Sequence, residues 1–195
     1  MHAFNHKMIN RQTRSTAIRY AQEKLALHPI YIDTETTGLD QNSEIIEICI
    51  LDDKDQVIYE SLVKPTRSIP KDVIRIHGIT DSMVLESPRW KDLWPEVERI
   101  MLNQPVGIYN ADFDIRMMQQ SHARYWMPWK VQTENLFCLM KLYAQYYGEW
   151  NRGSFRWHSL ENAGRQCGIP LLNTHRARDD TRLARAILHY IAESA

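Results

Sequence analysis

Apolar residues return at two different spacings along this chain, and the change of spacing divides it. Between Thr13 and Leu27, Ile18, Ala21 and Leu25 recur at helical spacing, flanked by Arg14, Arg19, Glu23 and Lys24. That pattern predicts an amphipathic helix that docks on the rest of the chain or on a partner. His28-Pro29 ends it, because the residue before a proline avoids the helical region. Residues 1 to about 12 carry no apolar periodicity and read as a loose tail. From Ile30 the period shortens. Ile30-Tyr31-Ile32, Glu44 to Leu51 and Gln56 to Val63 are β-branched, apolar runs, with turn residues at Gly38 and at Asp52-Asp53-Lys54-Asp55. Three strands in succession, with no helix between them, predict an antiparallel meander.

After Pro70 the helical period takes over. Thr80 is placed to cap a short helix over Ser82 to Leu85, and Leu93, Trp94, Val97 and Ile100 mark another over Trp90 to Leu102. Val106 to Tyr109 reads as a short buried strand, and Asn110 opens a helix running to about Tyr125. Leu136 to Tyr147 and Ser159 to Cys167 predict two more helices. A last one spans about Arg178 to Ala192, with Leu183, Ile187, Tyr190 and Ile191 on one face. Strands first, then strands alternating with helices, predict an α/β domain with a mixed central β-sheet flanked by helices. The predicted organisation is a tail and amphipathic helix over residues 1–28, followed by one domain over residues 29–195.

Composition adds little to that picture. Hydrophobic residues make up 44% and charged residues 25% of the chain, an ordinary globular balance. The formal net charge is zero, so no global basic field announces nucleic acid, although a local cationic site can still serve a strand end. Cys49, Cys138 and Cys167 form no CxxC pair and read as free thiols of a reducing compartment. No apolar run approaches the roughly 20 residues of a membrane span, and residues 1–10 lack a secretory signal. A cytoplasmic location and no membrane partner are expected.

Three acidic segments carry the candidate chemistry. Asp33 and Glu35 stand two apart at the end of an apolar strand, so they share a face and repel each other unless a cation intervenes. Such hard oxygen donors suit Mg2+ or Mn2+. In Tyr109-Asn-Ala-Asp-Phe-Asp114, a strand delivers Asp112 and Asp114 to the first turn of a helix, where acids also serve simply to favour the helix dipole. In Thr174-His-Arg-Ala-Arg-Asp-Asp180, Asp179 and Asp180 open the last helix and His175 precedes them on a loop. At this level Asp112 and Asp114 are equal candidates, as are Asp179 and Asp180.

These three segments, in this order, resemble the three motifs of the DEDDh family, the DnaQ-like 3′–5′ exonucleases of the ribonuclease H-like superfamily. Asp33-Thr-Glu35-Thr-Thr-Gly38-Leu39 resembles the first, Asn110-Ala-Asp-Phe-Asp114 the second and His175-Arg-Ala-Arg-Asp-Asp180 the third. Ile69-Pro70 through Ile76-His77-Gly78-Ile79-Thr80 resembles a further segment common in the family. The resemblance implies that Asp33, Glu35, Asp114 and Asp180 hold two divalent ions, Mg2+ or Mn2+, and that His175 is the general base. It also implies nucleotide contacts at Thr36, Leu39, Ile76, His77, Asn110 and Phe113. Tyr109 departs from the histidine often found before Asn-Ala, a position that is not a ligand.

The activity so implied is hydrolysis of phosphodiester bonds from a 3′ end to release nucleoside 5′-monophosphates. Single-stranded or frayed DNA is favoured, with an exoribonuclease or oligonucleotide-degrading enzyme as the alternative. A different class, an inactive binding or scaffold subunit, is opposed by the intact acids and His175. The segment Tyr143 to His158 interleaves Tyr146, Tyr147, Trp150, Phe155 and Trp157 with Arg152 and Arg156. It suits single-stranded nucleic acid, and equally a dimer interface or a lid on the core. The N-terminal helix leaves a homodimer or protein partner open.

Overall fold

The computed structural model describes residues 2–102 and 104–194, with side chains from Gln12 onward except at residue 103. A five-stranded mixed sheet organises it, built from β1 (Ile30–Thr36), β2 (Ile45–Leu51), β3 (Val57–Leu62), β4 (Val106–Ile108) and β5 (Leu136–Cys138). The order across the sheet is β3-β2-β1-β4-β5. The meander β1-β2-β3 is antiparallel, as its two short turns require, whereas β4 and β5 run parallel to β1 after helical crossovers.

Alternation along β1 sends its side chains into two separate layers. Ile30 and Ile32 pack with Ile48 and Ile50 against α4 (Trp90–Met101) and α5 (Ala111–Arg124), where Trp90, Trp94, Val97 and Met117 are buried. Tyr31 faces the other way, into a core formed by α1 (His2–Leu25), α6 (Leu139–Tyr147) and α8 (Ala177–Glu193), with Ala17, Ala21, Leu183, Ile187 and Ile191. Three shorter helices complete the fold: α2 (Lys71–His77), α3 (Asp81–Val84) and α7 (Leu160–Gln166). A two-stranded hairpin, β6 (Trp150–Asn151) and β7 (Ser154–Phe155), lies between α6 and α7. Among the described residues no helix is long and apolar enough to cross a membrane.

Two expectations are corrected. The N-terminal helix begins at His2 rather than near Thr13. The stretch before Thr13 lacks apolar periodicity, but it also lacks proline and glycine, so the helix that α6 and α8 anchor through Ala17 and Ala21 continues backwards through it. The helix expected from Leu136 starts only at Leu139, because Leu136-Phe137-Cys138 pairs with β4 as the edge strand. Three apolar residues running directly into an apolar helix leave no change of period to detect.

Candidate active site

The same alternation that divides the core also distributes the acids. Asp33 and Glu35 follow Tyr31 onto the α8 side of β1, where Asp180 arrives on the first turn of α8. Carboxylate oxygens of Asp33, Glu35 and Asp180 all lie within 4.8 Å of one another. Thr34 points to the opposite side, where its hydroxyl donates to Asp114 Oδ1 of α5 at 2.7 Å. Asp114 therefore reaches the strand end from the other layer and stands outside the group of three. The chain turns sharply enough to deliver it because Asn110, between β4 and α5, adopts the left-handed conformation at φ 61°.

The neighbours of these acids are engaged elsewhere. Asp112 is exposed and pairs with Lys141 Nζ at 2.7 Å, while Asp179 accepts the Thr174 hydroxyl at 2.7 Å. Asp114 and Asp180 are buried. Burial, followed by the charges of Asp114, Glu35 and Asp180, pushes the Asp33 carboxyl well above the usual carboxylate range. Glu35 is raised by burial and then by Asp180, Glu47 and Asp114. Asp114 is raised by burial, against the opposing hydrogen bond from Thr34. Asp180 is pushed up to about 6 by burial, against the lowering effect of His175 and of the Thr174 N–H, which donates to its Oδ1 at 3.1 Å. Four acids driven toward their neutral form by desolvation, and Asp33 and Glu35 also by neighbouring carboxylates, are a site short of positive charge.

His175 is exposed, on the bend before α8, with φ 53°. It lines a cavity of about 260 Å3 together with Asp33, Tyr109, Ser159, Leu160, Glu161, Asn173 and Asp180. A larger cavity, about 670 Å3, runs along α5 and α6 but contains no convergent carboxylates, only the Asp112–Lys141 pair among its charged neighbours and Arg116. The smaller cavity is the one with chemistry in it.

Sequence reasoning missed the group that fixes the loop. Glu47 on β2 is the cross-strand partner of Glu35 and is buried. Its carboxylate accepts from Arg176 Nε at 3.1 Å to both oxygens, from the second guanidinium arm, and from the Ala177 backbone N–H at 2.9 Å. Arg176 and Ala177 immediately follow His175. The signal was present as a lone glutamate in the otherwise apolar run Ile45-Ile46-Glu47-Ile48, since a buried charge demands a partner.

The residues expected at the nucleotide are dispersed around this centre. Leu39 and Ile76 are exposed apolar side chains, 77% and 55% accessible. Thr36 is buried and its hydroxyl donates to the Gly38 carbonyl at 2.7 Å, so it shapes the turn after β1. His77 is buried, its Nδ1 accepts the Ile79 N–H at 2.9 Å, and burial lowers its pKa, which keeps the ring neutral. Asn110 is exposed with no capping bond from its side chain. Phe113 is half-buried against the α4–α5 core with the Arg116 guanidinium 5.4 Å from its ring centre. Tyr109, in place of the usual histidine, donates its hydroxyl to the His158 carbonyl at 2.9 Å.

A family profile described as exonuclease, of the RNase T type, matches residues 30–188. The chain is similar to the uncharacterized exonuclease CP81 of Escherichia phage 186, 37% identical over 93% of this chain and 96% of that one. It is also similar to the DNA polymerase III subunit epsilon of Treponema pallidum, 30% identical over 77% of this chain and 70% of that one. Among solved structures, exonuclease X in complex with 5′-overhanging duplex DNA superposes with a TM-score of 0.59 at 28% identity, covering 83% of this chain and 89% of that one. Profile and relatives converge on one family, and the chain belongs to it: it is an exonuclease of the RNase T type, related to the DnaQ-like epsilon subunits and built on the ribonuclease H-like fold.

Proposed function

We propose that this exonuclease is metal-dependent and works in the 3′–5′ direction, releasing nucleoside 5′-monophosphates from single-stranded or frayed DNA ends. The observation that carries the reading is the convergence of Asp33, Glu35 and Asp180 within 4.8 Å, with His175 lining the same cavity. Their donor chemistry fits hard divalent cations: all oxygen, partly desolvated, and raised in pKa by burial first of all. Asp33, Glu35, Asp180 and Asp114 would hold two ions, Mg2+ or Mn2+. Such ions supply neutralisation of the carboxylates and of the negative charge that builds on the phosphate and the leaving oxygen.

The chain's own residues do the rest. His175 takes a proton from the attacking water, whose oxygen bonds to phosphorus as the bond to the 3′ oxygen breaks, and solvent returns a proton to that leaving oxygen. The Glu47–Arg176 pair holds the loop that presents the imidazole. Leu39 and Ile76 offer apolar faces to a terminal base, and Asn110 an uncommitted amide. None of these contacts reads a base edge, so low sequence preference is expected.

The test is digestion of single-stranded DNA, duplex DNA and RNA, each labelled at the 5′ end, with Mn2+ and in parallel with Asp33→Ala. A ladder shortening from the 3′ end, together with loss of at least about 100-fold in rate for the variant, is the expected result. Activity that survives Asp33→Ala refutes the site, and shortening from the 5′ end refutes the polarity. A faster rate on RNA reassigns the substrate.

A further inference from the structure

Beside the cleft stands an aromatic hairpin that the catalytic groups do not use. β6 and β7 pair antiparallel through Trp150 with Phe155 and Asn151 with Ser154, and Arg152 and Gly153 make the turn with φ of 46° and 95°. Trp150 meets Phe155 edge-on, ring centres 4.9 Å apart. The Arg156 N–H donates to the Glu149 carbonyl at 2.8 Å, and its guanidinium donates to the Glu149 carboxylate at 2.8 Å. The base of the hairpin is fixed. His158 is buried, its ring 5.6 Å from that of Tyr143 and 4.7 Å from that of Tyr147, and its carbonyl takes the Tyr109 hydroxyl. Tyr109 lines the catalytic cavity, as do Ser159, Leu160 and Glu161, the residues that follow.

What the hairpin and the residues flanking it expose is ring surface. Trp157, two residues before Ser159, is 62% accessible and has no ring partner among the described residues, and Trp150 and Tyr147 are exposed as well. Leu171 and Leu172, just before Asn173 of the same cavity, are also exposed. The charge, by contrast, is mostly spent internally. Arg156 is held by Glu149 and Arg165 by Glu161, which leaves Arg152 without an ion-pair partner among the described residues. A surface built for duplex would need several free cations along the phosphates. One free cation beside several rings suits instead a strand whose bases are unstacked.

We infer that the β6–β7 hairpin is a stacking platform for the single strand that leads away from the cleft, with Trp157 and Trp150 holding bases and Arg152 a phosphate. It rests on the cleft being an exonuclease site for strand ends, and it continues that surface. Long single strands are therefore held more tightly than dinucleotides, and duplex is held poorly unless its end has frayed.

Binding of a fluorescent single strand of about 12 nucleotides, read by anisotropy in EDTA, separates affinity from cleavage. Trp157→Ala is expected to weaken it about tenfold, or about 1.4 kcal/mol, and Trp157→Phe to restore most of the loss. Arg152→Ala is expected to lower the slope of log affinity against log salt by about 0.7, one phosphate on a single strand. Hydrolysis of a dinucleotide with Mn2+ stays unchanged in all three variants. Unchanged 12-nucleotide affinity in Trp157→Ala overturns the platform. So does a parallel fall in dinucleotide hydrolysis, or a wild-type dimer in sedimentation that Trp157→Ala dissociates. If the long strand binds through Trp157 while no dinucleotide is hydrolysed, the platform stands and the reading of the cleft fails.

Discussion

A glutamate in the middle of a strand of isoleucines must be satisfied or expelled, and Glu47 is satisfied by Arg176 and the Ala177 N–H. That pair ties β2 to the residue after His175 and to the first turn of the helix that carries Asp180. Glu47→Gln removes one charge and leaves the guanidinium of Arg176, itself 41% exposed, without its partner. Breaking a fully buried pair costs about 3–5 kcal/mol, and the exposure of Arg176 reduces the expected loss to about 2 kcal/mol. The melting temperature should fall by about 4–8 °C. Misplacing His175 should lower kcat by about tenfold or more while KM for a dinucleotide stays within about a factor of two. Arg176→Gln should do the same, and the double variant should add little to either. Full additivity would mean that the two residues act separately.

The same residue marks the limit of what the sequence reveals. Asp33 and Glu35 announce themselves, because a period of two puts them on one face at a strand end. Asp114 and Asp180 do not, since acids at a helix start have an ordinary electrostatic reason to be there. Only family spacing separates them from Asp112 and Asp179. In the structure the distinction is visible in the partners: Lys141 and the Thr174 hydroxyl occupy the two neighbours.

At the scale of elements, the strands of the meander are legible in the sequence, β2 and β3 to within a residue, because each is bounded by turn residues and carries a β-branched, apolar run. β5 is not, and its place in the sheet explains both its shortness and its importance. Phe137 sits opposite Gly107 of β4, which in turn sits opposite Tyr31 of β1. A Cβ at Gly107 would lie 2.8 Å from Phe137 Cζ and 3.2 Å from Tyr31 Cδ1, so the glycine is what lets two aromatic rings cover the strand. Gly107→Ala forces those rings apart and should cost about 1–3 kcal/mol. Thermal melting measures it directly, and Gly107→Ala with Phe137→Leu should recover most of the loss. A neutral Gly107→Ala would show that the rings shift freely. The hairpin β6–β7 is hidden in the sequence for a different reason: its two-residue strands are too short for any period, and its aromatics suit an interface or a lid equally well.

At the scale of the whole molecule, the sheet divides the fold into two layers whose buried acids meet at one end of β1, Asp180 from one side and Asp114 from the other. Stability and function are therefore linked through protons. In the unfolded chain these carboxyls titrate near about 4. In the fold all four are raised, Asp180 to about 6. The native state then binds more protons than the unfolded state from about pH 4 up to the pH at which each carboxyl ionises in the fold. Without metal the protein therefore loses stability as pH rises, by about 1.4 kcal/mol per carboxyl for each pH unit over which that carboxyl is protonated only in the fold. Asp180 alone accounts for about 2–3 kcal/mol, lost between about pH 4 and pH 6, and the three others extend the decline to higher pH. In EDTA the melting temperature should drop by about 4–12 °C from the Asp180 share alone as pH is raised. Mn2+ should reverse the trend, because a cation that binds only the ionised acids stabilises the fold most where protons compete least. Asp180→Asn should flatten the metal-free profile and blunt the Mn2+ response together. A metal-free profile that is already flat, or an Asn variant that keeps the full Mn2+ response, would mean that these acids are not the group that ties the two layers to the ion.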